Sequence, residues 1–176
     1  NIRKTKTDKV DTLLIAKTLM IQPHRFFSQE DIDMLHLKSL GRYRMKLIKE
    51  RTRTKIQLTS YADRVFPELQ YFFKSGLHQK AVYALLKEAP TPELVASMHL
   101  THLTHLLEVS SHGHFGKEQA RELRVLAQKS VGSSDKALSL QVTQSVEQIE
   151  LLDRHVKDIE TQMTEIMLGL DSVIMT

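Results

Sequence analysis

The stretch VTQSVEQIELLDRHVKDIETQMTEIMLGLDSV, residues 142–173, decides the fold. Its apolar positions are Val142, Val146, Ile149, Leu152, Val156, Ile159, Met163, Ile166, Leu170 and Val173, and from Leu152 onward they step four, three, four, three. That is a heptad seam, the pattern of a helix that lies along another helix for many turns. A seam of this length needs a partner of matching length, and the sequence holds one. Between Ser28 and Pro67 there is no proline, and Gly41 is the only glycine. Ser28 opens S-Q-E-D, where its hydroxyl can accept from the free amides of a first turn and Asp31 can reach back, as in a capping box. Helices over about 29–66 and 134–170, the second capped by Ser133 or Ser134, would each be roughly 55 Å long at 1.5 Å per residue.

The segments around these two are shorter. Val10, Leu13, Leu14, Ala16 and Leu19 suit a helix over about 8–20, which Pro23 interrupts. Pro67, Gly76, Pro90, Pro92, Gly113, Gly116 and Gly132 divide the middle of the chain. Short helices are expected there over about 77–88, 100–110 and 117–130. A further start is signalled by Thr91 as cap with Pro92 at the first helical position, where its missing amide costs nothing. Gly113 and Gly116 are expected to supply positive φ in the turn SSHGHFG. No strand-like alternation occurs. The expected fold is all-α: two long antiparallel helices forming a coiled-coil stalk, a small helical insert at its tip, and a dimer that buries the apolar flanks a two-helix stalk leaves open.

Composition narrows the function. The chain of 176 residues has no Cys, which excludes a disulfide framework, a thiolate zinc site and a thiol nucleophile. No run approaches the apolar length of a membrane span, so no membrane association is expected and a cytoplasmic protein is. G-x-S-x-G, Walker-type, dinucleotide-binding and H-E-x-x-H motifs are absent. The net charge of +4 hides an asymmetry: residues 1–66 carry 15 Lys+Arg against 7 Asp+Glu, residues 67–176 carry 10 against 14. Positive charge concentrated in this way is the footprint of a nucleic-acid surface, or simply a solubilising one.

Two groups of residues could carry that chemistry. In TKTDKVDTLLIAK, residues 5–17, Asp8 and Asp11 stand three apart, so a helix places both carboxylates on one face, within reach of one or two hard cations such as Mg²⁺. Acids in a first turn are also favoured by the helix dipole, and spacing alone favours that plainer reading. In RYRMKLIKERTRTK, Arg42, Lys46, Lys49 and Arg53 form one stripe and Arg44, Arg51 and Lys55 a neighbouring one, against the single acid Glu50. Both stripes could follow a phosphate backbone, or could be the solvated face of a long helix. His99, His102 and His105 are spaced for pairwise metal contact, but a zinc site needs a fourth group that the sequence does not display, and a polar helix face is the preferred reading.

The order of these features carries a resemblance. KTDKVDTLLIAKTL, then GRYRMKLIKERTRTKIQLTSYADRVFPEL, LLKEAPTPELVA, HGHFGKEQARELRVLAQKSVG and a long last helix together resemble the DEDD transposases of the Piv/MooV invertase type, recombinases of bacterial insertion sequences. In that family a RuvC-like nuclease domain supplies four acids, the last two in a K-T-D-x-x-D-A segment. Asp8 and Asp11 match those two, with Thr12 in place of the usual Ala. The resemblance implies that residues 1–27 are the tail of the nuclease domain, 28–66 a long basic coiled-coil helix, 67–133 a small helical insert, and 134–176 a second long helix leading to a serine transposase domain beyond Thr176. It implies DNA strand cleavage and transfer with Mg²⁺, assembly through the coiled coil as a homodimer, DNA and a guide RNA as partners, a location at the bacterial nucleoid, and inactivity of this segment by itself. The competing expectation is a non-enzymatic helical adaptor whose seam docks another coiled coil.

Overall fold

The computed structural model describes residues 8–21 and 28–174, with backbone alone at 8–10 and 171–174. Eight helices and no strand occur among the described residues: α1 (Asp8–Ile21), α2 (Gln29–Val65), α3 (Leu69–Phe72), α4 (Lys80–Glu88), α5 (Pro92–Ser97), α6 (Leu100–Ser110), α7 (Lys117–Gln128) and α8 (Lys136–Ile174). The chain is all-α, and its starts are set by local chemistry. Ser28 Oγ accepts from the Asp31 amide at 3.1 Å, and Asp31 accepts from the Ser28 amide at 3.0 Å, closing the capping box. Thr91 caps α5 ahead of Pro92. At α8 the cap is Asp135, whose carboxylate accepts from the Ala137 amide at 2.8 Å, instead of Ser133 or Ser134. Ser133 is engaged elsewhere: its hydroxyl accepts from the Asp135 amide, and its own amide donates to Arg64. The turn between α6 and α7 also differs from expectation, because His112 (φ 54°) and Gly113 (φ 84°) take the positive φ values while Gly116 sits at φ −113°. One-turn α3 follows Pro67 unannounced, since four residues are too few for any periodicity.

α2 and α8 pack along each other, antiparallel. Two rungs show the direction. Arg44 meets Glu160 at 2.6 Å, and Arg51 meets Asp153 at 2.5 Å, so seven residues up one helix match seven down the other. Between the rungs Leu47 packs on Leu152, Val156 and Ile159, with Leu40, Ile48 and Met163 around them. The seam of α8 runs as its apolar residues foretell, with Ser145 added at a heptad position, where its hydroxyl is satisfied by the Gln141 carbonyl at 2.6 Å. Thr54 plays the same part on α2, donating to the Glu50 carbonyl at 3.1 Å.

The larger core lies at one end of this pair. Leu58, Val65 and Phe66 of α2 and its exit join Leu69, Phe73, Leu85, Leu103, Leu107 and Leu123 of the short helices and Val142, Val146 and Ile149 of α8. Phe72, Phe73 and Phe115 add edge-on and stacked ring contacts. The head does not simply sit at a tip: α4 lies against α8, and Lys87 pairs with Glu150 at 2.9 Å, on the order of 20 Å along that helix from its start. Burial then fades outward, from complete at Ile149 to 8% exposure at Ile159 and half-burial at Met163, Ile166 and Leu170.

The exit of the head is fastened to its entrance. Ser133 donates to the Arg64 carbonyl at 3.0 Å, and the Glu68 carboxylate accepts from Ser130 Oγ at 2.6 Å and from the Val131 amide at 3.1 Å. Gly132 passes so close that a Cβ would stand 1.8 Å from the Val65 carbonyl oxygen. Both sides of that contact are backbone, so neither can swing away. Gly132→Ala is expected to cost on the order of 3 kcal/mol and to lower the melting temperature by roughly 6–12 °C, read by circular dichroism. A melting temperature unchanged from the parent would disprove the close approach.

Candidate nucleic-acid interface

The seven basic residues of α2 between 42 and 55 do not form one surface. Arg44 and Arg51 fall on the seam and are half-buried by their ion pairs with Glu160 and Asp153, so they are committed to α8. Arg42, Lys46, Lys49 and Arg53 project from the other side of the helix, are exposed, and line one shallow groove with Met45 and Glu50. None of these four makes an ion pair with a described residue. Their i, i+4, i+7, i+11 spacing keeps them on one face, and four unneutralised cations there form an electrostatic strip suited to phosphates. Lys55 belongs to neither set: it is half-buried and faces a cleft at the edge of the head.

That cleft, of about 930 Å³, lies between α2, α4, α8 and the end of α6. One wall is a hydrogen-bonded relay. The Thr59 hydroxyl donates to the Lys55 carbonyl at 3.1 Å, which leaves its oxygen to accept from His78 Nε2 at 3.2 Å; His78 Nδ1 then accepts from the Tyr83 hydroxyl at 3.1 Å. With these donors and acceptors the relay corresponds to the neutral Nε2–H tautomer of His78. Burial, reinforced by the nearby Lys55 charge, lowers the His78 pKa below its ordinary value. The Tyr83 hydroxyl is pushed up to about 12, first by burial and then by Asp153. Lys80 and Arg154 complete the cationic part of the lining, with the His112 imidazole beside them. Of this group the sequence singles out Lys55 in the basic stripe and His112 in the turn SSHGHFG, but nothing in local spacing unites them with His78, Lys80, Tyr83 and Arg154, which come from separate elements.

Asp8 and Asp11 stand one turn apart at the start of α1. Asp11 is half-buried, and the Asp8 side chain lies outside the described residues. Among the described residues no group of three or more His, Asp or Glu could hold a metal ion. The histidines of α6 are otherwise employed: His99 caps the helix, accepting from the Thr101 amide at 3.3 Å, and His102 pairs with Glu88. Nor is any helix among the described residues long and apolar enough to cross a membrane.

Comparison with known proteins adds one finding. Residues 1–67 match the family model of the IS110-type DEDD transposases, described as "Transposase", which supports a fragment of such a transposase. The matched span contains Asp8, Asp11 and all of α2. No curated protein matches the chain.

The relay makes stability depend on pH in a definite direction. A histidine whose pKa is lower folded than unfolded binds its proton first in the unfolded chain, so its contribution is complete above the unfolded value near 6.5 and is lost as pH falls below it. Urea unfolding at pH 7 and pH 5 is expected to show the parent losing more stability on acidification than His78→Gln does. Equal losses in the two proteins would rule out the neutral His78 relay.

Proposed function

We propose that this chain is the segment of an IS110-type DEDD transposase that links its nuclease centre to the rest of the enzyme, contributing two metal-ligand carboxylates, a nucleic-acid contact strip and a surface for self-association. The observation that carries this reading is the family match over residues 1–67, together with the four unpaired cations that the matched helix α2 turns away from α8. A transposase acts on DNA, so the strip has an evident partner.

Residues 1–27 are read as the tail of a RuvC-like domain. Two carboxylates one helical turn apart are hard oxygen donors that fit part of a magnesium site, and Asp8 and Asp11 would hold the ion from one side. When bound, Mg²⁺ supplies the charge that stabilises attacking and leaving oxygens in phosphodiester cleavage. Two donors leave the coordination incomplete, so the segment by itself is inactive. Residues 28–66 and 134–176 are read as the arms of a coiled coil, and 67–133 as the inserted head. The heptad positions of α8 and the evenly spaced rungs support the coiled-coil reading. Homodimerisation follows from what a two-helix seam leaves uncovered: Met34, Leu35, Met167 and Leu168 are 46–65% exposed toward the far end of the pair. Exposed apolar side chains gathered at one end of the pair are the kind of surface that association covers. A structured guide RNA offers the same phosphate chemistry as DNA, and work on nucleic acid places the protein at the nucleoid.

Two experiments test the reading. Binding of duplex DNA and of a structured RNA is measured at about 50 and 200 mM salt, where several phosphate contacts produce a fall of orders of magnitude. Replacing Arg42, Lys46, Lys49 and Arg53 by Ala is expected to reduce the slope of log affinity against log salt by roughly 3–4. Arg44→Ala with Arg51→Ala should instead leave the slope nearly unchanged while costing stability of about 0.2–1 kcal/mol per pair. Absence of binding at low salt would favour an adaptor that merely docks another helix. In the full-length transposase, Asp8→Asn or Asp11→Asn is expected to abolish Mg²⁺-dependent strand cleavage while DNA binding persists; cleavage at the parental rate would remove both residues from the metal site.

A further inference from the structure

We propose that the cleft between α2, α4, α8 and the end of α6 is a second phosphate site, which grips the phosphodiester backbone of a nucleic-acid strand through Lys55, Lys80 and Arg154. The argument starts from which groups are already occupied. Both acids in the lining are neutralised within the fold, Glu150 by Lys87 at 2.9 Å and Asp153 by Arg51 at 2.5 Å. Its neutral donors are spent as well. The Tyr83 hydroxyl donates to His78, Ser110 Oγ to the Leu106 carbonyl at 2.6 Å, and the Gln79 amide to the Gly76 carbonyl at 2.8 Å. Lys55, Lys80 and Arg154 remain, and none of them has an ion-pair partner among the described residues. Three unspent cations around a cavity whose two acids are already paired, with the His112 imidazole beside them, call for an anion.

The arrangement also specifies what kind of anion. The three charges come from a long helix, from the first residue of α4 and from the opposite long helix, around about 930 Å³, a size class that admits a nucleotide-sized ligand. Tyr83, the one phenol ring of the lining, offers a base no open face, since it is 7% exposed and its hydroxyl is engaged in the relay. Two lysines and an arginine are contacts of the kind that position a phosphate backbone. Lys55 follows Arg53 by two residues, about 3 Å of helix rise and about 200° around α2, so the cleft lies level with the end of the outer strip on the other side of the helix. This inference rests on the nucleic-acid reading of that strip.

The test compares three variants with the parent chain: Lys55→Ala/Lys80→Ala/Arg154→Ala in the cleft, the four-Ala strip variant, and Lys117→Ala/Lys129→Ala/Lys136→Ala, which removes three positive charges elsewhere. Each binds fluorescent single-stranded DNA, duplex DNA and an RNA stem-loop across about 50–200 mM salt, and inorganic phosphate is titrated separately by calorimetry. The cleft variant is expected to keep the parental melting temperature, lose roughly tenfold or more in affinity near 150 mM salt, and show a salt slope smaller by about 2–3. The charge control should stay near the parent there, because screening confines surface charges to about 8 Å. Which of the three oligonucleotides suffers the largest loss identifies the strand. An unchanged slope in the cleft variant, with binding lost in the strip variant, overturns this site and leaves the strip reading intact. Equal losses in the cleft variant and the charge control overturn it too. Saturable uptake of inorganic phosphate that depends on the three residues, without any effect on oligonucleotides, refutes the strand as ligand. No binding by the parent chain overturns both proposals.

Discussion

The arrangement depends on a backbone closure where the head meets the two long helices. Arg64 and Val65 end α2, Ser133 precedes α8, and the two stretches touch through a hydrogen bond and through the side-chain-free Gly132. Glu68 secures the same place from the other direction by holding Ser130 and Val131. Burial opposes ionisation of its carboxyl, but the hydrogen bonds outweigh that and keep its pKa below the ordinary glutamate value. Closing so long an inserted segment costs conformational entropy that rises only slowly with its length, and the hydrophobic core of the head offsets it. The result is geometric: both long helices leave the head from adjacent points, in opposite chain directions, at a fixed height relative to each other.

Fixed height becomes fixed rotation. A slip of one residue turns a helix by about 100°, which would carry Arg44 and Arg51 off their acids and bring the lysines of the outer face toward the seam. The two rungs oppose such a slip, and they do so as specificity more than as stability, since each pair is about a third to half exposed and worth about 0.2–1 kcal/mol. Polar residues at seam positions are known to set register at some cost in packing. Here that cost is visible, because α2 presents Arg44, Arg51 and Thr54 where α8 presents Ile159, Leu152 and Ile149. The pair is accordingly tight beside the head and thin at its far end.

The same two arginines show where the sequence was legible and where it was not. The helix starts could be read because capping is local: Ser28 with Asp31, and Thr91 with Pro92, act within four residues. The α8 seam could be read because nearly every heptad position is aliphatic. On α2 the corresponding seam alternates aliphatic and charged residues, so no apolar period stands out and Arg44 and Arg51 look like members of a basic stripe. Only the partner helix, more than a hundred residues on, reveals their role. Lys80 and Arg154 carry no local signal for the same reason, since the cleft is assembled by tertiary packing. The Asp135 cap was missed because Ser133, an equally good capping residue, had already been drawn into the closure.

The first helix is the place where packing and proposed chemistry meet most directly. Leu13, Leu14, Ile15, Leu19, Met20 and Ile21 are 59–86% exposed and lie on every side of α1. A helix that is apolar all round is built for burial within a domain, and no described residue provides that cover. An ordinary solvated helix with an acidic first turn would carry a polar face along its length, whereas after Thr12 the only polar residues of α1 are Lys17 and Thr18. The dipole reading of Asp8 and Asp11 explains two carboxylates at a helix start, but it does not explain why they lead into a core-type helix. The metal reading explains both, because a cation held by carboxylates needs its donors oriented by rigid surrounding packing. The family match begins upstream of those acids and runs through α1 into α2. On that reading the apolar helix anchors the half-site in the nuclease domain, and the family match carries the chain from there into the helix that bears the cationic strip.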